Sequence, residues 1–299
     1  MGGARPQVVG LALLFASMAA SAEEPKFEYG KKEEVKEEEW KLSAQLGILL
    51  TAGNSRSITI NGGANFSYKA QQNKLSAEIA GALARTSVLV AADANGDGFI
   101  GPGEFSREDT SAAKALAGKV RYDRFLDDAD SLFVTAKAGF DEPAGKKLAA
   151  GGQLGYSRVI YNKDGHTLVG EAGYDFSYES YYANVDAITI HSLRLFLGYT
   201  AKVSDVTGFA ASVEEFSNLN KETVPQGEAS PFEDTRVTTK AELTTKIVEK
   251  ISLKVGVKVL YDNVPAPLPP FSIPFAAGFF PLADKVDFVG ELALIVNFL

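Results

Sequence analysis

One feature constrains this chain more than any other. Apolar and polar residues alternate with a period of two, in segments about twice the five or six residues of an ordinary strand. The stretch Thr235 to Tyr261 shows it most fully. Arg236, Thr238, Lys240, Glu242, Thr244 and Lys246 share one parity, and Val237, Thr239, Ala241, Leu243, Thr245 and Ile247 take the other. After a reversal at Glu249-Lys250, Ile251, Leu253, Val255, Val257, Val259 and Tyr261 alternate with Ser252, Lys254, Gly256 and Lys258. Successive side chains on a strand point to opposite faces, so this stretch is a long amphipathic hairpin.

The pattern begins at Trp40, with Leu42, Ala44, Leu46, Ile48 and Leu50 opposite Lys41, Ser43, Gln45 and Gly47. It recurs to the last segment, where Phe288, Leu292, Leu294, Val296 and Phe298 oppose Asp287, Glu291 and Asn297. About twelve such segments are present, each long enough to cross a bilayer at a tilt of roughly 45°. Tyr68, Tyr122, Tyr156, Tyr178, Tyr199 and Tyr261 are expected near strand ends, as the girdle where an apolar band meets lipid head groups. Connections alternate in length. Those at 71–73, 127–130, 162–165, 204–205 and 249–250 are short, while those at 90–110, 141–146, 179–186, 218–234 and 263–284 are longer; only the first reversal, at Gly53-Asn54, is short among the latter set. Short periplasmic turns and long external loops are the pattern of outer-membrane barrels. The expected fold is therefore all-β: a transmembrane antiparallel up-and-down β-barrel over residues 40–299, with both ends periplasmic. The competing fold is a soluble β-sandwich or lipocalin-like barrel, which would turn its apolar face inward.

The N-terminus supplies a route to that location. Arg5, the apolar run Val8–Met18 and Ala20-Ser21-Ala22 follow one another as the three parts of a secretory signal peptide, residues 1–22. The apolar run is too short to span a bilayer as a helix. Export followed by a strand-built membrane domain places the chain in the outer membrane of a Gram-negative cell, with outer-membrane lipid as its surroundings. Residues 23–39 carry charges of both signs and no apolar face, as a solvated periplasmic segment does. With 30 Lys+Arg against 38 Asp+Glu, no basic stripe is available for nucleic acid. The absence of cysteine excludes disulfides, thiolate metal sites and a cysteine nucleophile.

The segment Leu46-Gly47-Ile48-Leu49-Leu50-Thr51-Ala52-Gly53-Asn54-Ser55, followed by alternating strands and an aromatic-bearing last strand, resembles the YdiY-like salt-induced outer-membrane protein family. The resemblance covers about residues 40–299. It implies an outer-membrane barrel with a structural, salt- or stress-related role and no catalytic residues. Two features depart from it: Phe298 is followed by Leu299 rather than ending the chain, and residues 93–104 look inserted.

That insertion carries the one chemical motif. Asp93, Asn95 and Asp97 occupy positions one, three and five of a twelve-residue loop, Gly98 the sixth and Glu104 the twelfth. Calcium takes six to eight hard oxygens, and an EF-hand loop supplies them at these positions. Phe99 would give its backbone carbonyl, Gly101 a bound water, and Glu104 a bidentate carboxylate. The bland alternative is a polar turn-rich loop. With Thr86–Ala92 as strand, and room for only a turn or two of helix over 105–113, a full helix-loop-helix is not expected. Calcium affinity near 0.1–1 mM is expected of an external site.

Little else is reactive. His166 and His191 are the only histidines, and Ser192, beside His191, points to the opposite face, so no hydrolytic pair forms and the chain reads as a non-enzyme. The lumen-facing set Arg121, Lys137, Glu171, Asp175, Arg236, Lys240, Glu242 and Lys258 could select ions in a passive pore for small solutes. Such residues more often pair and fill a narrow barrel. The uncharged Pro/Phe-rich stretch 265–281 would be a plug, a lipid contact or a partner surface.

Overall fold

A computed structural model describes residues 38–52, 56–109, 113–141, 146–181, 187–224, 227–264, 276 and 284–298. The expected signal peptide, most of the charged segment after it, the Gly53-Asn54 reversal and the Pro/Phe-rich stretch other than Ala276 lie outside these residues.

Every regular element among the described residues is a strand. In chain order they are β1 (Glu39–Ala52), β2 (Arg56–Ala70), β3 (Asn73–Ala91), β4 (Phe105–Asp109), β5 (Ala113–Phe125), β6 (Asp130–Asp141), β7 (Lys146–Lys163) and β8 (His166–Tyr181). Then come β9 (Ile188–Lys202), β10 (Thr207–Asn218), β11 (Glu222–Val224), β12 (Gly227–Ala229), β13 (Thr235–Val248), β14 (Ile251–Asp262) and β15 (Val286–Asn297). Thirteen of them form one antiparallel sheet: twelve are staves, each beside the staves next to it in the chain, β4 pairs only with β3, and β1 closes the ring against β15, with Ser43 opposite Asn297. The up-and-down barrel expected from the alternation is thus present, with both described ends at the short-turn rim.

The face pattern runs opposite to that of a soluble protein. Leu46, Ile48, Leu50, Ile58, Ile60, Leu83 and Leu154 are exposed on the outside, while Gln45, Glu78, Arg121, Glu171, Asp175, Arg194 and Lys254 are buried inside. Each exposed aliphatic side chain gains about 1.5–3 kcal/mol on transfer from water to hydrocarbon, so this exterior matches a bilayer core. A soluble sandwich or lipocalin-like barrel is excluded by the same observation.

The turns obey local chemistry. Asp164 and Gly165 link β7 to β8 with φ of 56° and 80°, as a two-residue hairpin whose twist matches its strands. Tyr68, Tyr122 and Tyr199 fall within three residues of the short-turn ends of β2, β5 and β9, and Tyr178 and Tyr261 near the opposite ends of β8 and β14. Tyr156 lies seven residues before the end of β7, which overshoots its neighbour, but it is level with the short-turn end of β6, opposite Leu132 and with its hydroxyl bonded to Asp130.

One expectation is corrected. Residues Phe105–Asp109 are strand rather than a turn of helix, pairing from Ala91↔Phe105 to Ser87↔Asp109. The cause is β3, which runs on for 19 residues and offers an open edge beyond the point where β5 leaves it at Ala84. The hairpin β3–β4 carries residues 92–104 at its tip.

Candidate functional site

Two places gather charged and polar side chains: the lumen and the tip loop. In the lumen, the alternation brings charged side chains from many strands to one level. Arg121 on β5 donates from Nε and Nη2 to Asp123 Oδ1 at 2.9 and 2.7 Å, and from Nη2 to Glu171 Oε1 on β8 at 2.8 Å. Arg194 on β9 donates from Nη1 to Glu171 Oε2 at 2.8 Å and from Nε to Glu214 Oε1 on β10 at 2.6 Å. The Glu171 side chain has 0% exposure. Charge-assisted bonds of this kind are the strong ones, and they satisfy a carboxylate that would otherwise be costly to bury. The Phe133 ring lies 4.0 Å from the Arg121 guanidinium carbon, a cation–π contact beneath the pair.

Small residues on β7 make room for this cluster. A Cβ on Gly155 would fall 2.7 Å from the Phe133 ring and 2.6 Å from the Ala172 carbonyl oxygen. A Cβ on Gly151 would meet Lys137 Cε at 3.1 Å and the Phe176 carbonyl oxygen at 2.3 Å. The run Gly151-Gly152-Gln153-Leu154-Gly155 is therefore shaped by the bulky side chains of β6 leaning over it.

The remaining predicted lumen charges are brought in as pairs. Lys137 reaches Asp175 at 2.8 Å, and Asp175 also accepts from Gln153 and Ser177. Lys119 lies 3.4 Å from Glu78, Lys254 2.9 Å from Glu291, and Arg236 2.7 Å from Asp234. Several stay partly open to solvent: Lys119 by 22%, Lys137 by 34% and Arg236 by 40%. Lys240 and Lys258 lie directly opposite each other on β13 and β14. Arg194 and Glu214 were not singled out from the sequence; carrying the parity of Leu193, Leu195 and Leu197 one residue over assigns Arg194 to the lumen. The histidines lie apart, with His166 Nδ1 2.6 Å from the Tyr199 hydroxyl and His191 bonded to Tyr174. Ser192 is buried in the lumen while His191 faces outward.

The tip loop folds on its own carboxylates. Asp93 Oδ1 accepts from the Gly96 N–H at 2.6 Å, and Oδ2 from the Gly98 N–H at 2.8 Å. Asn95 Oδ1 accepts from the Asp97 N–H, and Asp97 Oδ1 from the Phe99 N–H, each at 2.8 Å. Glu104 folds back over the loop, accepting from Ala94 and Asn95 through Oε1 and from Gly101 through Oε2 at 2.7 Å. Gly96, Gly98 and Gly103 have φ of 77°, 84° and 90°, where a Cβ is strained. Ile100, at 0% exposure, anchors the loop, and its carbonyl accepts from the Ala276 N–H at 3.0 Å. The donor types and the folded-back Glu104 suit calcium. Yet among the described residues no three His, Asp or Glu side chains gather as a metal-holding group. The carboxylates of Asp93 and Glu104 each accept from several loop N–H groups.

Residues 44–269 match the model of a family described as "Protein of unknown function, DUF481". No curated protein matches the chain. Among solved structures, the NanC porin overlays with a TM-score of 0.50 at 11% identity, covering 85% of this chain and 100% of that one. The KdgM porin overlays with a TM-score of 0.45 at 8% identity, covering 86% and 99%. At 11% identity the likeness to NanC is one of fold.

Proposed function

The chain belongs to the DUF481 family, whose function is unknown, and from its barrel we propose that it is an outer-membrane pore for small hydrophilic solutes. One observation carries this reading: the faces are inverted, so an apolar exterior encloses charged side chains that remain in part open to water, among them Lys119, Lys137 and Arg236. A wet, polar interior is how a transmembrane barrel passes solutes. The test is planar-bilayer recording of the refolded barrel. Steady unitary currents in KCl are expected; a correctly folded barrel that never conducts would sink the reading. Its rival, a filled barrel with a structural role, is favoured by the sealed Arg121–Glu171–Arg194–Glu214 cluster and predicts that silence.

The finer features belong to the same proposal. Residues 1–22 are a cleaved signal peptide, and residues 23–39 lie in the periplasm. Asp93, Asn95, Asp97, the Phe99 carbonyl, a water held by Gly101, and Glu104 would hold a calcium ion, which would order the loop. Calorimetric titration, beside an Asp93→Ala/Glu104→Ala variant, tests this: heat at millimolar calcium or tighter, lost in the variant, is expected. The salt-related role follows from the resemblance at Leu46–Ser55, and a protein level that does not respond to NaCl would remove it.

A further inference from the structure

The outer wall of the barrel carries a charge that neither the fold nor the lumen uses. On β10, Ser212, Glu214 and Phe216 have the parity of the lumen, where Glu214 meets Arg194. Val213, Glu215 and Ser217 therefore face the bilayer. In register, Glu215 lies between Leu195 of β9 and Val237 of β13, and Val213 lies beside Leu197. Leu195, Leu197 and Val213 are exposed, and Glu215 is partly so. Among the described residues of the twelve staves, only Asp130 and Glu215 are carboxylates on this outer face. Asp130 opens β6 at the short-turn rim, bonded to the Tyr156 hydroxyl and 3.7 Å from Arg158. Glu215 pairs with no cation among the described residues: its Oε1 accepts from the Ser217 hydroxyl at 3.0 Å, and its Oε2 accepts no bond. An ionisable side chain on a membrane wall is costly, and its presence calls for a partner.

The depth of Glu215 indicates which partner. It lies three residues from Asn218, the long-loop end of β10. Its row continues through Val237 to Tyr261 of the girdle. The next row toward the rim holds Tyr174, Leu193, Ser217 and Thr235. There the Ser217 and Thr235 hydroxyl oxygens lie 3.2 Å apart, and Tyr174 is bonded to His191. Leu195, Leu197 and Val213 thus meet hydrocarbon, while the hydroxyls and the imidazole mark the level of the head groups. On the long-loop side of a Gram-negative outer membrane those head groups bear phosphates. A carboxylate and a phosphate repel each other, and a divalent cation between them turns the repulsion into a bond. Magnesium in particular is held by one or two carboxylates plus phosphates, and keeps several of its waters.

We propose that Glu215 is the protein end of a divalent-cation bridge to a phosphate of an outer-leaflet lipid, with the Ser217 hydroxyl orienting the carboxylate toward the head groups. The lipid's acyl chains then lie along Leu195 and Val213. The proposal needs the barrel in its membrane and is independent of conduction. The test uses the full mature chain refolded in detergent micelles doped with lipid A, in magnesium or in EDTA, and native mass spectrometry counts lipid A per barrel. Heat-modifiable gel mobility verifies folding of each variant. Lipid A should be retained in magnesium and lost in EDTA, and lipid A stripped of its phosphates should not be retained. Excess inorganic phosphate should not displace the lipid. Glu215→Gln, which keeps the volume and can still accept from Ser217, should weaken retention in magnesium by at least about tenfold. Glu215→Asp, which keeps the charge, should hold more lipid A than Glu215→Gln. Retention that ignores EDTA, the lipid's phosphates or Glu215→Gln overturns the bridge, as does displacement by inorganic phosphate. So does a wild-type dimer that Glu215→Gln splits, which would give this face to a second copy of the chain. A cation held only by the tip loop leaves lipid retention independent of Glu215 and counts against the bridge in the same way.

Discussion

Replacing Glu171 with Gln tests the physical account of the lumen directly. The carboxylate accepts three hydrogen bonds from two guanidiniums, at 2.8, 3.3 and 2.8 Å, with no exposure to solvent. Hydrogen bonds to charged groups contribute about 1.5–3 kcal/mol each, and a glutamine oxygen in the place of Oε2 can retain two of the three. The bond at Oε1 is replaced by an amide N–H facing the Arg121 Nη2 donor, and the buried negative charge is lost, but Arg121 keeps Asp123 and Arg194 keeps Glu214, so neither cation is left alone. That rescue sets the cost near the lower end for a broken buried pair, about 3 kcal/mol. The folding equilibrium should fall on the order of a hundredfold. The assay is reversible denaturant unfolding from lipid vesicles, followed by tryptophan emission of Trp40. As a control, Arg121→Met/Glu171→Met/Arg194→Met removes all three charges and should cost much less per site, since apolar replacement of a whole buried cluster is often neutral. A Glu171→Gln loss below about 0.5 kcal/mol, the size of a surface substitution, would refute the assignment of Glu171 as keystone.

Three further outcomes follow from local geometry. Gly155→Ala should destabilise the barrel by about 1–3 kcal/mol in the same unfolding assay, because its methyl meets both the Phe133 ring and the Ala172 carbonyl; wild-type stability would mean the β7 backbone yields freely. Asn218 donates to the Asn220 and Ser230 carbonyls and accepts from Asp234 N–H, so Asn218→Ala should raise hydrogen exchange and protease cutting across 219–234 while the staves stay protected. At the β5–β6 turn, the N–H groups of Ala129 and then Asp130 hold the Asp127 carboxyl below its ordinary range. Its contribution is therefore complete above the unfolded carboxylate value of about 3.9 and is lost as pH falls through the lower folded value. Asp127→Ala should remove that acid-dependent step from the turn's NMR titration, and an unchanged titration would assign the step elsewhere.

Much of the architecture was legible in the residues because a barrel's staves need only a two-residue period. Leu42 to Leu50 against Lys41 to Gly47 identifies faces and direction, and the short connections at 71–73 and 162–165 identify one rim. What the period cannot carry is the contact between staves that are not neighbours. Arg121 and Glu171 lie 50 positions apart and meet only because β6 and β7 fold between them. Nor could the residues after Glu104 be identified as strand, since β4 exists because β3 overshoots β5 rather than through any strong pattern of its own. The tip loop shows the opposite limit. Its spacing names the oxygen donors Asp93, Asn95, Asp97 and Glu104 outright, yet spacing alone does not say which loop N–H groups they would accept from.

The seam between β1 and β15 gives the chain a particular assembly kinetics. Every other ladder of the barrel joins staves consecutive along the chain, so each can zip as a local hairpin with low contact order. The Ser43–Asn297 to Ala52–Phe288 ladder alone must bring together ends about 250 residues apart. By loop-closure scaling that encounter costs about 5 kcal/mol of chain entropy if it precedes the hairpins, and far less once they have already curled the sheet. Folding should therefore run as a zipper that ends in a single latch. Changes along Ser43–Ala52 should slow the final step and the β1–β2 hairpin, which uses the same residues, and leave the other ladders at their own pace.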